Sequence, residues 1–239
     1  MPESHTPAGW LWEIYAIFQL RNHSTPLRRL PQAFITTSSI TTSSSSEPAK
    51  KKIRLEDGYV GPFSDFTVYG DRKSLSEKLS HAICSGKANL FKPGAKNNAT
   101  YDAFSISDDK VPVVTLYKPT IGQSHSVKAK GLDFLWDVLN GAPGGKKLLP
   151  TKKKTWRVVI LVDENVGMHW NTAQTIDFGG IKPKHQWDSY IEQFVGVLRR
   201  RHDAEVGSSS IPRPINASGL DFFVVFRFIH FIISTYHHF

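Results

Sequence analysis

Two acid-free cationic runs are, by residue type and spacing, the parts of this chain best equipped to meet another molecule. Lys50, Lys51, Lys52 and Arg54 put four positive charges into five positions shortly after Pro48. An extended peptide of that kind can lie in an acidic groove. The run has the form of a nuclear localisation signal, whose partner is a nuclear import receptor; the alternative is a solvated charge cluster. Lys146, Lys147, Lys152, Lys153, Lys154 and Arg157 make up the second run, KKLLPTKKKTWR. As a loop it can neutralise phosphates of a nucleic acid, with Trp156 either stacking on a base or opening a strand. The alternative is a solubilising loop. The 239 residues carry 30 Lys and Arg against 21 Asp and Glu, a net charge of +9. Outside the two runs 20 basic residues face 21 acidic ones, so the basicity belongs to the runs and not to the body of the chain.

Several other chemistries are excluded by their residues. Gly141, Gly144 and Gly145 ahead of Lys146 do not meet the spacing of a phosphate-binding P-loop, and Lys147 stands where that loop needs Ser or Thr. No H-E-x-x-H and no G-x-S-x-G occurs, which removes a helical zinc site and the usual nucleophile elbow. One cysteine, Cys84, allows no internal disulfide and no cysteine-rich zinc module. It falls on an apolar helical pattern beside Ile83 and is expected to be buried.

The elements that must hold these residues are clearest between residues 58 and 201. Ser74 and Glu77 fit a capping box at the start of a helix that runs through Leu75, Leu79 and Ile83 to Gly86. Residues 88–91 read as a short strand, 101–107 and 111–117 as a hairpin, and 131–139 as a helix with Leu132, Leu135, Trp136 and Leu139 on one face. WRVVILV (156–162) is a strand apolar on both faces. Trp187, Ile191, Phe194, Val195 and Leu198 predict a last helix ending at Arg199–Arg201. Asp163 and Glu164 read as a solvated loop pair. The expected fold is a single mixed α/β domain over 58–201. Residues 1–57 are expected to be a leader and a Ser/Thr-rich linker, mostly without fixed structure, with 10–20 either a short amphipathic helix or unpacked. No secretory signal is expected there, because no positive charge precedes the apolar run. Residues 202–239 form a linker and an apolar tail that is a membrane-associating segment, a strand, or translated non-coding sequence. Arg227 and His230 within it argue against a spanning helix.

YDAF (101–104), the strand ending LYKPT (116–120), SHSVKAKGL (124–132), WRVVILV (156–162) and the later Trp187, Ile191 and Phe194 resemble, in order and spacing, the C-terminal domain of Crinkler effectors and the related retrotransposon hot spot proteins. The resemblance implies a restriction-endonuclease-like fold: a helix, three antiparallel strands, a crossover helix and a fourth strand. It implies Mg²⁺-assisted phosphodiester hydrolysis in active members of that class, with nucleic acid as partner. Carried over residue by residue, Asp102 is the strand aspartate on the metal and Lys118 the lysine that positions water. Glu77 is a second carboxylate from the first helix, unless capping alone explains it. Asp102 can equally be a strand-end turn residue. His125 and Lys128 match a His-x-x-Lys that faces substrate phosphates, or they sit in a polar loop. The chain departs from the pattern at Leu116, two residues before Lys118, where the class needs a ligand and a leucine offers none. Two functions are therefore expected as alternatives: a nucleus-directed protein of this type with a nuclease-like domain, or a non-catalytic protein that engages DNA, chromatin or another protein.

Overall fold

The elements in chain order are α1 (Pro7–Asn22), β1 (Thr25–Arg29), β2 (Tyr59–Val60), β3 (Asp65–Tyr69), α2 (Arg72–Ser85), β4 (Asn89–Pro93), β5 (Ala103–Ile106), β6 (Val114–Pro119), β7 (Val127–Lys128), α3 (Ala129–Gly141), a 3₁₀ turn (Gly145–Leu148), β8 (Trp156–Asp163), α4 (Glu164–Gly167), β9 (Ile176–Asp177), α5 (Trp187–Tyr190) and β10 (Ile191–Leu198). The computed structural model describes residues 6–31, 58–94, 100–180 and 182–198, all within a unit that runs from Met1 to Arg199. The cationic run at Lys50, Lys51, Lys52 and Arg54, the Ser/Thr-rich linker and the apolar tail lie outside the described residues.

Eight strands form one mixed sheet in the order β2-β1-β10-β8-β6-β5-β4-β3, and β7 pairs with β9 in a small separate sheet. β4, β5 and β6 run antiparallel to one another, α3 crosses over, and β8 then returns parallel to β6. A parallel return needs such a crossover, and α3 supplies it. Alternate residues of β8 serve two cores. Val158, Ile160 and Val162 join Leu75 and Leu79 of α2 and Leu132, Leu135 and Leu139 of α3. Val159 and Leu161 join Trp12, Ala16, Ile17 and Leu20 of α1 on the other face. Helices therefore cover both faces, and β8 is apolar and buried without interruption from Val158 to Val162 because that stretch has no wet side.

Four expectations need correction. Residues before 58 were expected to stand outside the folded unit, yet α1 buries Ala16 and Leu20 completely and β1 adds to the sheet beside β10. Thr6 caps α1 by accepting from the Gly9 N–H at 3.2 Å, and Pro7 opens the helix, a favoured pairing at a helix start. The expected last helix is instead the single turn α5 followed by β10, which lies between β8 and β1. Ile191 and Val195 of β10 go to one core and Phe194 and Leu198 to the other. A strand filled on both faces loses its period-two signature, and here the remaining apolar spacing imitates a helix. Gly196 marks the strand: a Cβ there would meet Leu161 Cδ2 at 2.9 Å and Thr25 Cγ2 at 3.3 Å, so the sheet closes over it only without a side chain. Finally, α2 begins at Arg72 with Asp71 as its cap, Oδ1 accepting from the Ser74 N–H at 2.7 Å. The capping box at Ser74 and Glu77 is not formed. Gly86 does terminate α2, at φ 65°. Cys84 is exposed, not buried. Among the described residues no helix is long and apolar enough to cross a membrane.

Because α1 closes one core, Leu20→Ala should destabilise the protein by about 3 kcal/mol, the usual cost of emptying a fully buried leucine site. Urea denaturation checks this; a change near zero would mean that α1 is a detached leader after all.

Candidate functional site

The hairpin of β5 and β6 positions the first pair of interest. Ala103 lies opposite Tyr117, and the Asp102 N–H donates to the Tyr117 carbonyl at 2.9 Å, extending the ladder by one residue. Asp102 and Lys118 thus face each other across the strand pair. Lys118 Nζ lies 3.0 Å from Oδ2 and 3.2 Å from Oδ1 of Asp102, so one ammonium holds both carboxylate oxygens. The side chains are only 7% and 14% exposed, which makes this a buried ion pair. Lys118 is aligned with Ile160 of β8 and so belongs to the face covered by α2 and α3.

Burial and neighbours set the protonation of the group. The Asp102 carboxyl is pushed up to about 6, first by burial and also by the nearby Glu13 carboxylate, while Lys118 and Lys92 oppose the rise. Glu13, on α1, is itself bound to Lys92 at 2.7 Å. His125, in the loop after β6, is pushed down to about 4 by burial and then by the positive charges of Lys118 and Lys128. Its backbone N–H donates to Gln174 Oε1 at 3.2 Å, and its Nε2 is buried with no hydrogen-bond partner among the described residues. Lys128, on β7, pairs with Asp177 of β9. Asp102, Lys118, His125 and Lys128, the residues that the resemblance names, therefore share one end of the sheet.

Glu77 does not join them. It is exposed on the second turn of α2, and the carboxylate felt by Asp102 is Glu13. Glu13 lies on α1, inside the stretch expected to be a leader, and the Thr6–Pro7 helix start is the sequence signal that points to it. The set does not suit Mg²⁺. This hard ion prefers near-octahedral oxygen donors, but Lys118 occupies both oxygens of Asp102. Leu116 is fully buried in the core at the position that should supply a second ligand. Among the described residues no three His, Cys, Asp or Glu side chains gather to hold a metal.

The second cationic run is at the other end. Arg157 of β8 is aligned with Thr115, whereas Lys118 is aligned with Ile160, three residues further along the same parallel pair. Lys146, Lys147, Lys152, Lys153 and Lys154 precede the start of β8, so they flank the end of the sheet away from Asp102, more than ~10 Å along the strands. Lys146, Lys147, Lys152 and Lys153 are exposed. Lys154 turns back to donate to the Lys147 carbonyl, and Arg157 lies over the Phe194 ring at 5.8 Å. Trp156 is the core residue of the two readings: it is 1% exposed and its indole N–H donates to the Leu148 carbonyl at 2.8 Å. Asp163, read as a solvated loop residue, caps α4 by accepting from the N–H groups of Asn165 and Val166 at 2.9 and 3.1 Å. No family model matches the chain, and neither a curated protein nor a solved structure is detectably similar to it.

The two perturbed groups oppose each other in pH dependence. Between 3.8 and about 6 the folded state holds the Asp102 proton that the unfolded state has released, so this term makes stability fall as pH rises. Between about 4 and 6.5 the unfolded state holds the His125 proton that the folded state rejects, so this term makes stability rise with pH. The terms offset one another in the wild type, which should show little slope from pH 4 to pH 6. His125→Gln should lose stability as pH rises through that window, and Asp102→Asn should gain it. Urea midpoints measured across the window check the signs; parallel profiles for all three proteins would contradict the assignment.

Proposed function

We propose that this chain is a Crinkler-type or retrotransposon-hot-spot-type protein whose restriction-endonuclease-like core binds nucleic acid without hydrolysing it. Two observations support the core. The succession α2, three antiparallel strands β4-β5-β6, crossover α3 and parallel strand β8 is the order that the resemblance implies. Asp102 and Lys118 stand opposite each other on the two strands that carry the metal-binding aspartate and the water-positioning lysine in the active class. The single observation that carries the non-catalytic reading is the closed pair itself. Lys118 holds Asp102 with both oxygens engaged, and Leu116 fills the core where a second metal ligand would be needed. An ion pair so closed serves to bury a lysine within the sheet end, not to orient a nucleophile.

The nucleic acid is bound through phosphates, by the exposed lysines before β8 (Lys146, Lys147, Lys152 and Lys153). Such contact is governed by charge and weakens steeply with salt. Lys50, Lys51, Lys52 and Arg54 act as a nuclear address read by an import receptor, which brings the domain to its ligand. The competing reading, Mg²⁺-dependent hydrolysis through Asp102, Glu77 and Lys118, makes the opposite prediction in one assay. Incubated with Mg²⁺ and supercoiled plasmid, wild type and Asp102→Ala should both leave the plasmid intact. Mg²⁺-dependent nicking by the wild type that Asp102→Ala abolishes would establish the nuclease instead. For the address, replacing Lys50, Lys51 and Lys52 by alanine should move a fluorescent fusion from the nucleus to the cytoplasm. Undiminished nuclear signal would count against it.

A further inference from the structure

The end of the sheet that carries the lysines also carries an aromatic wall, and the two belong together. Trp156 opens β8 directly after the lysine turn, and its ring lies 5.5 Å from Trp187 and 6.4 Å from Trp136. Trp156 and Trp187 are core residues: they are 1% and 0% exposed, and their indole N–H groups donate to the Leu148 carbonyl and to Asp133 Oδ1. The cluster does not stop there. Trp136 of α3 is half-buried, stacks on Tyr190 at 6.0 Å and 12°, and is covered by His185 at 4.0 Å and 29°. His185 and Tyr190 are themselves half-buried, so the ladder of rings grades from the core to the surface.

The charges around this ladder are unbalanced. Lys146, Lys147, Lys152 and Lys153 are exposed and make no ion pair among the described residues. Of the acids at this end, Asp133 accepts from Trp187, Asp137 faces Lys184 at 3.8 Å and Glu192 pairs with Arg29 at 2.9 Å, while Asp188 lies at the surface of α5. Flat rings flanked by unpaired lysines match the two parts of a single-stranded nucleic acid, bases that stack and phosphates that need cations. A duplex keeps its bases stacked inside and can use the lysines alone.

We infer that this end of the sheet, with His185 over Trp136 as the stacking platform and Lys146, Lys147, Lys152 and Lys153 as the phosphate contacts, is a binding site for single-stranded nucleic acid. The inference rests on the nucleic-acid reading above and adds to it the form of the ligand and the aromatic residues. A base continues the stack on the accessible side of His185 while neighbouring phosphates run toward the lysine turn.

Fluorescence anisotropy with a short oligothymidylate and a duplex of equal length tests this on the full chain. The single strand should bind more tightly. His185→Ala should weaken it about tenfold, in the range measured for loss of one stacking partner, and leave the duplex unchanged. His185→Leu keeps Trp136 covered and so guards against a mere packing defect; it should give the same loss. Replacing the four lysines by alanine should remove binding of both forms. Equal affinity for both forms, with no effect at His185, would overturn the inference and leave the nucleic-acid reading standing. Binding of polyglutamate as tight as that of the oligomer would overturn it in favour of a charge-only surface. Binding of neither nucleic acid would overturn both readings.

Discussion

Placing an ammonium group at the inner end of a sheet is costly unless a carboxylate goes with it, and the arrangement of this molecule follows from that requirement at Lys118. The strand β6 is buried along its whole length, and the Lys118 side chain near its end keeps only 7% of its surface exposed. Asp102 meets it because the β5-β6 register places the two residues opposite each other and the Asp102 N–H extends the ladder. Removing either partner would leave a buried charge uncompensated, an error that typically costs about 3–5 kcal/mol. His125 at the same end holds its proton less tightly first because it is buried, and then because of the positive charges of Lys118 and Lys128. Closing the pair also engages both oxygens of Asp102, at the end of the sheet away from the exposed lysines before β8.

The central part of the fold was legible in the sequence for a definite reason. The β5-β6 hairpin, α3 and β8 each carry a pattern that only one element satisfies: a turn between alternating runs, an i, i+3, i+4, i+7 stripe, and a β-branched run too short for a helix. The flanks failed where two faces were buried at once. β10 fills both cores, and its apolar positions at 191, 194, 195 and 198 satisfied a helical template as well as a strand. α1, the helix that was one of the two readings of 10–20, has apolar residues nearly all round, buried at Trp12, Ile17 and Leu20 yet exposed at Leu11 and Phe18, so no clean stripe shows that it packs on the sheet. β1 contains Pro26, which ordinarily argues against a strand. It is accommodated here opposite Tyr59 of the two-residue strand β2 at the sheet margin.

The site was legible as a group of residue types but not as a geometry. Asp102, Lys118, His125 and Lys128, the residues that the resemblance names, come together because the hairpin and the loop after it return to one end of the sheet. The separation of the lysine run from that group could not be read from sequence. It depends on β6 and β8 being parallel, which puts the start of one beside the start of the other and the two ends far apart. His185 and Tyr190 went unnoticed because their partner Trp136 is some 50 positions away on α3, and only the fold stacks them.

The proposed nucleic-acid contact lies at the lysine-bearing end of the sheet and not at the Asp102–Lys118 end. Photo-crosslinking of the full chain to a single-stranded oligomer that carries a photoreactive base, followed by peptide mass spectrometry, reads this directly. Adducts on residues 146–154 and 184–190 are predicted, with none on Asp102, Lys118, His125 or Lys128. Adducts concentrated on those four residues would contradict the proposal and place the contact at the Asp102–Lys118 end.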